Sequence, residues 1–420
     1  MKQVSVTLST YTADVSGVCS ALYELGGMVV IHDPSGCNST YNTHDEPRWY
    51  DMDSLVFISG LSQMDAIMGN DDKFINDIVR AAKELKPRFI ALVRTPIPLM
   101  TGTDFEGIAR IIEKQTQIPV FYFPTSGMHS YVSGAGMALE TVARELVLPT
   151  NANGHFKENG IEIENVSNEL SVADTKKQNQ QKLNQSEQKQ IENTESKQSN
   201  SKIKINILGA TPLDFSVNST LDSIKEFFST FAMGSSIEDI QKAGEADVNL
   251  VISSVGFPAA KVLEERFSTP YVIGTPVKGF AGIIAEKLID AAWTGKSQTA
   301  YFSVTSSGKN ISRAANGIYI IGESVISQSL KAAMALKQGI DATVICPLET
   351  EPEYIGENVL LFSSEEEIKA AIAEAKTVIA DPIYKTICAD ETNFIALPHE
   401  AFSGRIYRKE IHNLMEWVTI

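Results

Sequence analysis

Basic residues are in short supply: 36 Lys and Arg stand against 52 Asp and Glu, a net charge of −16 over 420 residues. That balance excludes a chain built to coat nucleic acid, because phosphates need a basic face, and it argues against docking on an anionic membrane. Long hydrophobic runs are missing too. No uncharged apolar stretch reaches the roughly 18 residues that crossing a bilayer requires. The opening MKQVSVTLSTYTADVSG has neither the apolar run nor the small-residue cleavage site of a signal peptide. The expected compartment is therefore the cytoplasm, where thiols stay reduced. Cysteine is sparse, with only Cys19, Cys37, Cys346 and Cys388. In a reducing compartment these are candidates for core packing, metal ligation or redox chemistry ahead of disulfides. Neither a dinucleotide G-x-G-x-x-G nor a Walker A loop occurs, and Gly322 reads as a tight turn feeding a helix.

What is present is ordinary globular material. Hydrophobic residues make up 43% of the chain, enough for several cores, and the length fits two to four domains of about 100–200 residues. Short apolar runs such as MVVIH, Leu55–Gly60, Phe89–Val93 and Val120–Phe123 suit buried strands, and 3.6-residue spacing marks Asp72–Leu85 as a helix. Phe105–Ile112 and Gly134–Leu148 also read as helices. The alternation restarts at Ile203–Leu208, with a helix expected over Leu221–Phe231, and again at Ile318–Ile321. This pattern predicts an α/β protein of three Rossmann-like, doubly wound parallel-sheet domains. The expected divisions are 1–150, 203–300 and 301–390, followed by a return segment over 391–420. Between the first two lies 151–202, whose core Thr175–Lys202 is almost free of large apolar residues and reads as a flexible polar linker.

Cys19 and Cys37 lie 18 residues apart, each at the expected end of an element, where side chains converge. Helix-start and turn N–H groups stabilise thiolate. Two thiolates do not complete an iron–sulfur site, which normally takes four. A two-fold pair of chains would supply the rest at a subunit interface. From spacing alone the signal is weak, and packing as buried small hydrophobes is the better explanation of these cysteines. Towards the carboxyl end, DPIYKTICADETNFIALPHEAFSGRIY is dense in polar residues. His399 there is a candidate proton donor or ligand and Arg405 a candidate anion clamp, with a purely structural connection as the alternative. Cys346 reads as core.

The first unit resembles component 1 of the nitrogenase family, which includes protochlorophyllide-reductase-type enzymes. Cys19 matches the family's first cluster cysteine. His32-Asp33-Pro34-Ser35-Gly36-Cys37 resembles its H-G-P-x-G-C, and Arg94–Asp104 resembles its C-P-x-x-L-I-G-D-D. Ser126–Ser130 with Gly134 resembles a further helix start, and VISSVGFPAAKVLEERFSTPYV a later segment. The resemblance implies an oxidoreductase subunit with Cys19 and Cys37 as metal ligands and Gly36, Asp33 and Thr95 around the cofactor. It also implies an ATP-dependent iron–sulfur reductase as partner, and a homodimer or a heterodimer with a paralogous chain. Thr95 stands where the family has its third cluster cysteine, and no match is found for the ligands of the iron–molybdenum cofactor. An ordinary P-cluster and that cofactor are therefore not expected, and a smaller four-iron, four-sulfur (4Fe–4S) cluster between subunits is. A cluster-assembly scaffold and a non-redox binding module are the alternatives.

Overall fold

The computed structural model describes residues 6–9, 11–36, 45–53, 55–149, 203–215, 228–305 and 317–414. Cys37 and the polar tract 175–202 lie outside the described residues.

Three parallel sheets carry the chain. The first contains β1 (Met28–His32), β2 (Leu55–Ile58), β3 (Ile90–Arg94) and β4 (Val120–Phe123), in the order β2-β1-β3-β4. All five residues of β1 are buried, as expected of a central strand covered on both faces. Helices α1 (Asp14–Leu22), α2 (Gln63–Met68), α3 (Asp71–Leu85), α4 (Pro96–Thr101), α5 (Phe105–Thr116) and α6 (Tyr131–Thr141) follow or precede its strands. Side chains alternate along β1. Val29 and Ile31 join Cys19 and the α1 and α6 residues in the large core, whereas Met28 and Val30 pack with Phe74, Ile75, Ile78 and Ile108 of α3 and α5.

The second sheet holds β5 (Ile205–Leu208), β6 (Ser229–Thr230), β7 (Val248–Val251), β8 (Tyr271–Ile273) and β9 (Gln298–Thr299), ordered β6-β5-β7-β8-β9. Its β6 corrects the helix expected over Leu221–Phe231. Residues 221–227 lie outside the described residues, and Ser229–Thr230 pair in parallel with β5, with Ser229 Oγ donating to Asn206 Oδ1 at 2.7 Å. The third sheet holds β10 (Ile318–Ile321), β11 (Thr343–Cys346), β12 (Val359–Leu361), β13 (Thr377–Ala380) and β14 (Asn393–Ala396), ordered β12-β11-β10-β13-β14. The stretch read as a return segment thus begins by adding an edge strand.

Close contacts hold the first unit together and tie it to the third. A Cβ on Gly17 would sit 2.3 Å from the Tyr131 carbonyl oxygen, and one on Gly134 would sit 1.9 Å from that of Asp14. Glycine at both positions lets α1 and α6 approach backbone to backbone. The buried Asp14 carboxylate accepts from the N–H groups of Ser126 (2.9 Å) and Gly127 (2.8 Å), which fixes the loop after β4. Ahead of α1, the N–H groups of Val6, Thr7 and Leu8 converge on Glu365 Oε2 at 2.7, 2.7 and 2.9 Å. Against the upward push of burial, these donors hold the Glu365 carboxyl down at about 2. Tyr11 hydrogen-bonds Tyr384, and Thr12 N–H donates to the Ala401 carbonyl at 2.8 Å.

Candidate functional site

Parallel strands bring their following loops to one end, where ligands of open α/β sheets gather. At that end of the first sheet, β1 runs into His32 and Asp33, and β3 runs into Thr95. Asp33 and Thr95 are both buried. Thr95 Oγ1 donates to Asp33 Oδ1 at 2.6 Å and also lies 2.9 Å from the His32 carbonyl oxygen. Their polar atoms serve one another and the backbone. Ser59, after β2, places its Oγ 2.8 Å from His32 Nδ1 and 3.2 Å from the Asp33 N–H. Gly36 is exposed, with open space where a side chain would project.

Cys19 is not at the helix start. It lies within α1, fully buried among aliphatic neighbours, and burial pushes its thiol far above the ordinary range. Among the described residues no three His, Cys, Asp or Glu side chains are grouped to hold a metal. The described residues of one chain therefore do not fit a resident iron–sulfur cluster by themselves: Cys19 is sealed, and Thr95 and Asp33 are bonded to each other. Cys346 is buried at the end of β11, its Sγ 3.1 Å from Thr350 Oγ1, and burial pushes it up to about 12.

Arg48, which nothing in its local sequence singles out, organises the segment beyond Cys37. Its guanidinium is buried and donates to Glu46 (2.6 Å), Glu24 (2.7 Å), the carbonyl of Ser20 (2.7 Å) and that of Ala232 (3.2 Å), and it lies over the Tyr23 ring. One cation thereby ties the segment to α1 and to the second sheet.

A second constellation forms where all three sheets meet. Asp214 follows β5, Ser254 follows β7, Glu323 follows β10, Asp381 follows β13 and His399 follows β14. Tyr131, first residue of α6, donates its hydroxyl to Asp214, whose other oxygen is 3.1 Å from Thr211 Oγ1. Glu323 caps the helix Ser324–Gln338 by accepting from Val325 (3.1 Å) and Ile326 (2.8 Å), and also from the Ser254 N–H at 3.0 Å. Burial, then the nearby Asp214 charge, raise the Glu323 carboxyl; the same two causes raise the Tyr131 phenol. Asp381 Oδ2 accepts from Ser403 Oγ (2.7 Å) and the His399 N–H (2.8 Å), and burial raises it. His399 Nε2 stands 3.3 Å from Asp214 Oδ1, out of line for a hydrogen bond, and both ring nitrogens are buried without a hydrogen-bond partner among the described residues. Beside them lies a cavity of about 20 Å³, lined by Asp214, Glu323, Asp381, His399 and Phe402, room for one water-sized group.

The structure thus brings together Asp33 with Thr95, and His399 with Asp381. It leaves Arg405 exposed on a short turn, apart from the residues lining the cavity. Asp214, Glu323 and Tyr131 escape a reading of the sequence because they converge from distant segments; of these, Glu323 alone carries a signal, in the turn that follows β10.

Comparison with known proteins places this geometry. The model of the nitrogenase component 1 type oxidoreductase family matches residues 16–285. A light-independent protochlorophyllide reductase subunit from Nostoc punctiforme (strain ATCC 29133 / PCC 73102) is 33% identical over 85 residues, which cover 18% of this chain and 17% of that protein. Two solved structures of nitrogenase Cp1 share the fold. The one at pH 5 has a TM-score of 0.59 at 14% identity and covers 97% of this chain and 86% of its own. The one at pH 6.5 has a TM-score of 0.61 at 13% identity, with 99% and 91% covered. With its family model matched over most of its length and its three parallel sheets in place, the chain belongs to the nitrogenase component 1 type oxidoreductases.

Proposed function

We propose that this chain is one subunit of a two-component oxidoreductase. It shares a 4Fe–4S cluster with a second subunit, takes single electrons from an ATP-dependent reductase, and passes them to an acceptor at the junction of the three sheets. The observation that carries the reading is the junction itself: Tyr131 donating to Asp214, buried Glu323, and His399 with ring nitrogens unpartnered among the described residues lie together at the carboxyl ends of the strands. Reduction of most acceptors adds protons with electrons, and a water-poor site makes the placed donors effective. In this reading His399 gives up a proton at a ring nitrogen, and Asp214 steadies the imidazolium that precedes it. Tyr131 and Thr211 hold the Asp214 carboxylate, and Asp381 fixes the His399 backbone. The small cavity calls for an opening of the junction before anything larger than a water-sized group enters.

Cys37 and Cys19 are the proposed thiolates, two from each subunit. For Cys19 this requires α1 to yield. The sealed Cys19 thiol and the Thr95–Asp33 bond support a second reading, a binding module without redox chemistry. Strictly anaerobic reconstitution with iron and sulfide separates the two. The first reading expects a brown protein with a reducible electron paramagnetic resonance signal, lost in Cys37→Ser and Cys19→Ser and kept in Cys346→Ser. A colourless protein favours the second. His399→Gln is expected to keep the signal while lowering turnover.

A further inference from the structure

On the opposite face of the first sheet from Cys19, a pocket of about 240 Å³ opens between β1, β2 and α3. Met28, Val30, Phe57, Phe74 and Ile78 form its walls, and His32 lines it as well. The His32 ring stacks on Phe74 at 3.9 Å and is 4% exposed. Its Nδ1 is engaged by Ser59, and its Nε2 makes no hydrogen bond among the described residues. Ser59 Oγ accepts the Asp33 N–H. Its own proton has two destinations, His32 Nδ1 at 2.8 Å and the Asp33 carbonyl at 3.4 Å. When Ser59 donates to Nδ1, the neutral ring carries its hydrogen on Nε2, as a donor. Rim charges cancel: Lys73 pairs with Asp65 at 3.4 Å and Arg80 with Asp77 at 2.7 Å. Apolar walls beside His32, with Asn70 and the two ion pairs also in the lining, suit a small molecule, in a volume just below the usual range for such sites.

We propose that Ser59 donates to His32 Nδ1 and that this pocket binds a neutral, single-ring-sized apolar molecule bearing one hydrogen-bond acceptor, such as a carbonyl or ether oxygen, held by the Nε2–H of His32. The site is independent of the cluster and of the three-sheet junction.

Acetophenone and α-methylstyrene test the idea, since they share a shape and differ in the acceptor oxygen. Saturation-transfer NMR and calorimetric titration of the full-length protein are expected to show acetophenone binding about fivefold more tightly, the worth of one neutral hydrogen bond. His32→Phe keeps the stack on Phe74 and should abolish that preference. Ala81→Trp fills the pocket from α3 and should weaken both probes at least about tenfold, as loss of most of the buried contact area demands, with the unfolding temperature retained. Equal affinity for the two probes, absence of binding, or undiminished binding to folded Ala81→Trp overturns the proposal. If His32→Phe does not fold, the Ala81 variant and the probe pair decide the matter.

Discussion

Replacing Arg48 by Met tests how the segment beyond Cys37 is held. The Arg48 side chain is 2% exposed, and the Glu46 side chain that it contacts at 2.6 Å is 0% exposed. Methionine fills much of the volume but leaves the Glu46 carboxylate in the interior without that cation and strips donors from the carbonyls of Ser20 and Ala232. Breaking a buried pair from one side costs about 3–5 kcal/mol. Removing the Glu46 charge as well, in Arg48→Met with Glu46→Gln, should return roughly half, because an uncharged amide is far cheaper to bury. Urea unfolding gives the two values. Hydrogen-exchange mass spectrometry then locates the change, expected as faster exchange in 45–53, in α1 and around Ala232. A single variant that loses less than about 1 kcal/mol, or a double variant less stable than the single, would refute the claim that a desolvated charge pair anchors this segment.

Other outcomes follow from the same geometry. Gly134→Ala must push α6 off α1, and a thermal-melt loss of about 1–3 kcal/mol or more is expected; an unchanged melt would mean that the helices are not in backbone contact. Thr95→Val removes the donor to buried Asp33 and should cost about 1–3 kcal/mol, measured by urea unfolding. The Glu365 carboxyl lies at about 2 in the fold against an ordinary 4.5. Its contribution to stability is present above 4.5 and fades as the pH falls towards 2. In Glu365→Gln, acid unfolding should therefore lose part of its slope in that window, with residues 6–8 open to proteolysis at neutral pH. A slope identical to the parent's would remove the carboxylate from the account.

Buried strands were legible because each is a short, continuous apolar run, as in MVVIH and IALVR, and α3 because its apolar positions recur with helical spacing. The edge strands β6, β9 and β14 were not. They are two to four residues long, and partners far along the chain define them, so Ser229–Thr230 looked like the end of a helix. The candidate sites divide in the same way. Asp33, Thr95 and His399 lie in loops after strands, where topology alone draws the eye. Asp214, Tyr131 and Arg48 acquire their roles only when separate segments meet, and nothing in their immediate neighbours announces it. Cys19 misled because a Gly and a Ser two and three residues ahead of it suggested a helix start. The helix in fact begins at Asp14, which leaves the sulfur facing the core.

The grip of Glu365 on the N–H groups of Val6, Thr7 and Leu8 bears on the order of synthesis. These three residues have as their acceptor a carboxylate that is synthesised more than 350 positions after them. The first sheet can collapse during translation, but residues 6–8 must wait for the unit of the third sheet. Release of a prematurely terminated product lacking the third sheet would leave residues 6–8 without that carboxylate, a ready handle for the proteases that clear incomplete chains.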